Sequence, residues 1–195
     1  MALNLSPHSD EELFNLLRSP KRELAEAAFR ELYARHAQRL YGYCSRILGS
    51  RYDAQDVLQE TFIRFWQSAQ QERVMTNVPA FLLRIARNLC FNFKRNNHQA
   101  QEFDEELHGS TASPVEQVER AELSTLLQRA ITQLPAEYRE ALVLREQVGL
   151  TYAEIAELLG ITETAAKVRV FRAKEKLRQL LAPYIHELRP TNPQQ

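Results

Sequence analysis

Glycine and proline are scarce in this chain. Five glycines and 8 prolines in 195 residues are too few for the many tight turns of a sheet-rich fold. No sustained run alternates apolar with polar residues, so strands are not expected. No stretch approaches the ~20 apolar residues of a membrane-spanning helix, and no membrane insertion is expected. The N-terminus, MALNLSPHSDEE, turns acidic where a secretory leader would turn apolar. Only two cysteines occur, Cys44 and Cys90, too few for a disulfide framework or a four-thiolate zinc site. They read as reduced thiols in helix cores of a cytoplasmic protein.

Catalytic constellations are missing too. There is no nucleophile–base pair, no phosphate-cradling glycine loop and no metal-ligand set. A carboxylate metal cluster in a helical bundle needs Glu-x-x-His on two helices. The one match, Glu105-Glu106-Leu107-His108, stands alone. His36, His98, His108 and His186 are scattered. The reading is a non-enzyme with no catalytic residues, metal, cofactor or small-molecule substrate.

Net charge is zero, 25 basic residues against 25 acidic, but the charges are segregated. Residues 21–99 hold 13 Lys/Arg and 7 Asp/Glu, a balance of +6. Residues 100–122 hold 1 and 7, a balance of −6, and residues 161–178 hold 6 and 2, a balance of +4. Two basic blocks around an acidic one suit a partner of negative charge.

Apolar residues recur at helical spacing almost throughout, so the expected fold is all-α. Ser9-Asp10-Glu11-Glu12 is a capping box that opens a first helix. Helices follow over about 21–48, stopped by Gly49-Ser50, and over 53–70. Pro79 suits the first position of a fourth helix, which reaches about Arg95. Residues 97–113 lack a periodic apolar face and read as an acidic flexible linker. Seventeen residues span at most about 56–60 Å and average roughly 23 Å as a coil. Ser113-Pro114-Val115-Glu116 starts a helix to about Gln133, and Pro135 opens another through Gln147. The expected layout is therefore two small helical domains, 1–96 and 114–182, joined by the 97–113 linker. Residues 183–195, with Pro183, Pro190 and Pro193, read as a short irregular tail.

Residues 151–178, TYAEIAELLGITETAAKVRVFRAKEKLR, carry the strongest local signal. Thr151 and Glu154 form a capping box, Gly160 suits a sharp turn, and Thr162 can cap a second helix with six cations. This is a helix-turn-helix pattern, whose second helix fits the DNA major groove. Lys167, Arg169, Arg172 and Lys174 are candidate contacts to bases or phosphates.

Two motifs lie in the N-terminal half. In DAQDVLQETFIRFW, Asp53, Asp56 and Glu60 share one helical stripe, flanked by Gln59 and Arg64, with Phe62, Phe65 and Trp66 apolar. That face reads as a solvated acidic surface or as a docking face for a basic helix with aromatic anchors. Residues 77–95, NVPAFLLRIARNLCFNFKR, contain no acid at all. Cations and amides interleaved with aromatics suit single-stranded nucleic acid. The preceding polar loop suits capture of a base pulled from A·T-rich duplex.

Taken in order, YDAQDVLQETFIRFW, PAFLLRIARNLCFNFKR, LPAEYREALVLREQVGLTYAEIAELLGIT and VFRAKEKLR resemble the extracytoplasmic-function group of bacterial RNA polymerase sigma factors, over about residues 10–182. The resemblance implies an alternative sigma factor that binds polymerase core and recognises −10 and −35 promoter elements. Asp53, Asp56, Gln59, Glu60, Phe62 and Trp66 match the segment docking on the β′ coiled coil. Arg73, Thr76, Asn77, Arg84, Arg87, Asn88, Asn92, Lys94 and Arg95 match the −10 region, with Asn88 at a base-reading position. Lys167, Val168, Phe171 and Arg172 fall at −35 contact positions, with Arg169 and Lys174 nearby. Ala166 stands where the family commonly buries valine, and Val168 where a small polar residue is frequent. The helix at 135–147 with the helix-turn-helix would sit on the β flap, and the tether would run towards the RNA exit path. An anti-sigma partner is also implied. The alternative is a stand-alone helix-turn-helix transcriptional regulator, which leaves the acid-free helix unexplained.

Overall fold

A computed structural model describes the backbone of residues 5–71, 75–96 and 114–187, and side chains in these ranges except at 114–122 and 185–187. Every regular element among the described residues is helical. The chain divides into two compact units, Met1–Glu102 and Phe103–Gln195. The boundary falls within the stretch expected to be the linker, and residues 97–113 lie outside the described residues.

The first unit holds α1 (Asp10–Leu16), α2 (Arg22–Leu48), α3 (Arg51–Gln71) and α4 (Val78–Asn96). The capping box that opens α1 forms as expected. The Ser9 N–H donates to Glu12 Oε2 at 2.7 Å, and the Glu12 N–H donates to Ser9 Oγ at 3.2 Å. Gly49 ends α2 in the left-handed region, φ 81°. The Ser50 hydroxyl then accepts from the Asp53 N–H and caps α3. Leu13 and Phe14 of α1 meet Leu32 and Tyr43 of α2, Phe65 of α3 and Leu82 of α4 in the core, all fully buried. Cys44 and Cys90 are buried there as thiols, outside any disulfide.

One guanidinium fastens the N-terminal segment to this bundle. Arg35 donates to Asp10 Oδ1, Glu31 Oε1 and the carbonyls of Ser6 and His8. Burial opposes its charge, yet the bonds to Asp10 and Glu31 outweigh that and raise its pKa.

The second unit holds α5 (Pro114–Thr132), α6 (Ala136–Glu146), α7 (Tyr152–Leu159) and α8 (Glu163–Glu187). Leu134, Ala141, Leu142, Val170 and Ala173 form its core, with Tyr138, Tyr152 and Leu177 packed against it. The corner between α5 and α6 is sealed by Arg139, which donates to the carbonyls of Ile131, Thr132 and Leu134. Ile131 and Thr132 lie in the last turn of α5, whose carbonyls lack i+4 partners inside the helix, and Leu134 lies just beyond it. Desolvation lowers the pKa of Arg139.

Two boundaries differ from expectation. Pro79 is the second helical residue of α4, because Asn77 is the cap: its Oδ1 accepts from the Ala80 N–H at 3.0 Å. Pro183 does not begin an irregular tail, since α8 continues through it to Glu187. Pro183 lacks the N–H that would bond to the carbonyl of Gln179, but both residues are exposed, so water can serve that carbonyl. Residues 188–195 and Ser113, the expected cap of α5, lie outside the described residues.

Candidate functional site

The helix-turn-helix is built by local chemistry. Thr151 and Glu154 cap α7 reciprocally, at 2.7 and 3.2 Å. Gly160 ends it at φ 66°, and the Ile161 N–H closes the turn on the Ala156 carbonyl at 3.0 Å. The Thr162 hydroxyl accepts from the Ala165 N–H and starts α8. Ala166, Val170 and Ala173 then face the core.

The opposite face of α8 carries Val168, 50% exposed, Phe171, 61% exposed, and Arg172. Lys167 is exposed beside them, paired with Glu163 of its own helix at 2.8 Å and 5.8 Å from the Tyr152 ring centroid. Arg169 and Lys174, the other two contact candidates, each have a partner on α6. Arg169 reaches Glu137 of α6 at 3.1 Å, and Lys174 reaches Glu146 of α6 at 2.8 Å.

On α4, Arg84, Asn88, Asn92 and Arg95 are exposed, and Arg87 and Lys94 are half-buried. Arg84, Asn88 and Arg95 follow helical spacing and share one stripe. Phe91 lies in the middle of it, 41% exposed, with the Arg87 guanidinium over its ring at 4.8 Å. Sequence reasoning named the flanking cations and missed Phe91. The available signal was its place at i+7 from Arg84. Thr76 and Asn77 are exposed, although the Asn77 oxygen is engaged in capping. Arg73 lies outside the described residues.

On α3, Asp56, Gln59 and Glu60 lie along one surface, and Asp53 sits in the first turn, where the helix dipole favours a carboxylate. Glu60 is paired with Arg64 at 2.7 Å. Phe62 requires a correction: it is 2% exposed and packs against Tyr33 at 4.7 Å and Phe29 at 5.9 Å between centroids. Aromatic rings from α2 cover it, so it forms a floor instead of an exposed anchor. The neighbouring Ile63, 44% exposed, stands out at the surface. A cleft of about 500 Å³ opens here between α2 and α3, lined by Phe29, Phe62, Ile63 and Trp66 with Glu26, Arg30 and Gln67.

Among the described residues, no three His, Cys, Asp or Glu side chains gather as a metal site, and no helix is long and apolar enough to cross a membrane. The Glu105–His108 match lies outside them.

Two family models match the chain. Sigma-70 region 2 covers residues 32–99, and Sigma-70 region 4 covers residues 124–177. Among curated relatives, the chain is 34% identical to the RNA polymerase sigma factor CarQ of Myxococcus xanthus over 82% of its own length and 92% of the relative's. It is 32% identical to the ECF RNA polymerase sigma factor SigE of Mycolicibacterium smegmatis over 85% of its own length, but spans only 66% of that relative. Among solved structures, CnrH in complex with the cytosolic domain of CnrY matches with a TM-score of 0.63 at 24% identity, covering 90% of this chain and 99% of that one. The sigma factor RpoE bound to the anti-sigma factor NepR from Bartonella quintana matches with a TM-score of 0.64 at 22% identity, covering 79% and 96%. Both structures share the fold.

Proposed function

The chain belongs to the extracytoplasmic-function group of RNA polymerase sigma factors, which direct promoter-specific transcription initiation, and from that premise we propose how its faces divide the work. The observation that carries the reading is a pair of outward basic faces on two separate compact units, one on α4 and one on α8.

Lys167, Val168, Phe171 and Arg172 enter the major groove of the −35 element. Arg and Lys donate to guanine O6 and N7, and Val and Phe meet thymine methyls. Arg84, Arg87, Asn88, Asn92, Lys94 and Arg95, with Thr76, hold the −10 strand. Phe91 adds an aromatic surface suited to an unstacked base. Arg73 belongs to this set by the family resemblance. Each face makes a handful of phosphate contacts and is weak alone at physiological salt. Joined by a tether, the two gain only when something fixes their separation.

Polymerase core is that scaffold. Asp53, Asp56, Gln59, Glu60 and Trp66, with Ile63, present an acidic and aromatic face to a basic helical partner, the β′ coiled coil. The helix α6 with the helix-turn-helix rests on the β flap. An anti-sigma factor covering one or both basic faces completes the partner set; the solved neighbour bound to the anti-sigma factor NepR supports it.

Run-off transcription with sigma-free core on a genomic template tests the reading. Start-site-selective RNA is expected only when the chain is added. A stand-alone regulator yields none, and strong, specific promoter binding by the free chain would also sink the scaffold argument.

A further inference from the structure

The six cations of α8 do not stand in equivalent places. At 100° per residue, the buried stripe of Ala166, Val170, Ala173 and Leu177 defines the inner side of the helix. Val168 lies almost opposite that stripe, and Phe171 and Arg172 lie about 130° from it. Arg169 and Lys174 lie only about 70° from it, one on each side. They flank the seam between α6 and α8, where a long side chain reaches the neighbouring helix more readily than the groove floor of a duplex.

Each of the two has an acidic partner across that seam. Arg169 Nη2 is 3.1 Å from Glu137 Oε2, near the start of α6, and Lys174 Nζ is 2.8 Å from Glu146 Oε1, at its last residue. Arg169 is the less accessible, its side chain 26% exposed. The Lys167–Glu163 pair is different in kind: both members belong to α8, so it ties nothing to anything. Arg172 is exposed and joins no ion pair among the described residues.

The geometry points to a division of labour among these cations that rests on the −35 reading of α8. Arg169 and Lys174 are positioning residues: with Glu137 and Glu146 they strut the reading helix against α6 at both ends of that helix. They set the rotation of α8, and so the angle at which Val168, Phe171 and Arg172 meet the groove. Glu137 and Glu146 thereby act in promoter reading without touching DNA.

Two measurements on the full chain decide this. The first is the salt dependence of binding by the complex with polymerase core, on a duplex that the wild-type complex selects from a random pool. Lys167→Gln and Arg172→Gln each flatten the log–log slope by about 0.9 if their cations sit on phosphates. Arg169→Gln and Lys174→Gln leave the slope unchanged while lowering affinity about two- to fivefold. A loss of about 0.9 for either of these two puts that cation on DNA and overturns the assignment. Unchanged affinity and unchanged base preference in both Lys167→Gln and Arg172→Gln count instead against the −35 reading itself.

The second measurement is charge-swap rescue. Arg169→Glu lowers both the thermal midpoint of the free chain and the promoter affinity of the complex. Adding Glu137→Arg restores both, because the strut is rebuilt with reversed polarity. If Arg169 touched DNA directly, a cation on α6 could not take its place, so rescue of the midpoint without rescue of affinity overturns the proposal. Failure to rescue the midpoint overturns it too. The midpoint arm stands even if no duplex is selected.

Discussion

The two basic helices reach positive charge by opposite routes. α4 carries no acid over residues 77–95, so Arg84, Arg87, Lys94 and Arg95 are balanced by nothing on their own helix. Its one exposed ring, Phe91, lies beneath a guanidinium. α8 carries more cations, yet Glu163 pairs with one of them and α6 supplies carboxylates to two others. A helix with no acid of its own suits a flexible strand, whose phosphates have no fixed spacing. A helix that must meet base edges in one register gains from being held at a defined angle. Counting cations in a stretch of sequence therefore measures attraction, whereas their acidic neighbours decide which cations remain to provide it.

The largest break in this comparison comes from reversing two charges on α4. Arg84→Glu with Arg95→Glu should lower strand-opening by the complex roughly hundredfold or more, with affinity for a duplex carrying only the −35 element retained. Permanganate footprinting and duplex binding check the two halves. Equal loss in both assays would erase the distinction between the helices.

A single change on α8 comes next. Arg172→Ala should cost about 1–3 kcal/mol of binding and relax base preference at one position of the −35 element, measured by selection from a randomised duplex. Phe91→Ala sharpens the contrast from the other side. It should cost about 1–3 kcal/mol on a single-stranded −10 segment, measured as fluorescence anisotropy of the complex, and nothing on the −35 duplex.

The turn before α8 gives a smaller effect. Gly160→Ala should lower stability by about 1–2 kcal/mol in urea unfolding, because φ is positive there. The smallest concerns the capping box of α1 in the other unit. The Ser9 backbone N–H holds Glu12 below its usual carboxylate range. The stabilisation is present above that usual value and fades as acid protonates Glu12 on the way down through its lowered pKa. The full chain should therefore lose stability on acidification slightly more than a Glu12→Gln variant, which has no carboxylate there to protonate.

Features set by neighbours in the chain were legible in advance. Ser9 with Glu12, Thr151 with Glu154, Gly49, Gly160 and the Thr162 cap depend on spacings of a few residues, and each forms. Cys44 and Cys90 sit on apolar faces and are buried. What sequence reasoning missed depends on contacts between elements. Phe62 and Ile63 are adjacent apolar residues, and only Phe29 and Tyr33 from α2 decide that the first is covered. The partners of Arg169 and Lys174 lie about thirty residues away on α6. Asn77 is among the −10 candidates by resemblance, and its cap of α4 depends on where that helix begins. Pro183 looked like a stop, and an exposed last stretch of helix absorbs it.

The corner at Gly160 is open: a methyl group built there meets no atom within 4 Å. Its restriction is one of handedness and not of room. A D-alanine installed at this position by chemical ligation would adopt the required backbone angle by preference, since its mirror-image sterics favour positive φ. Such a semisynthetic chain would be stiffer before folding than the natural one and unstrained after it.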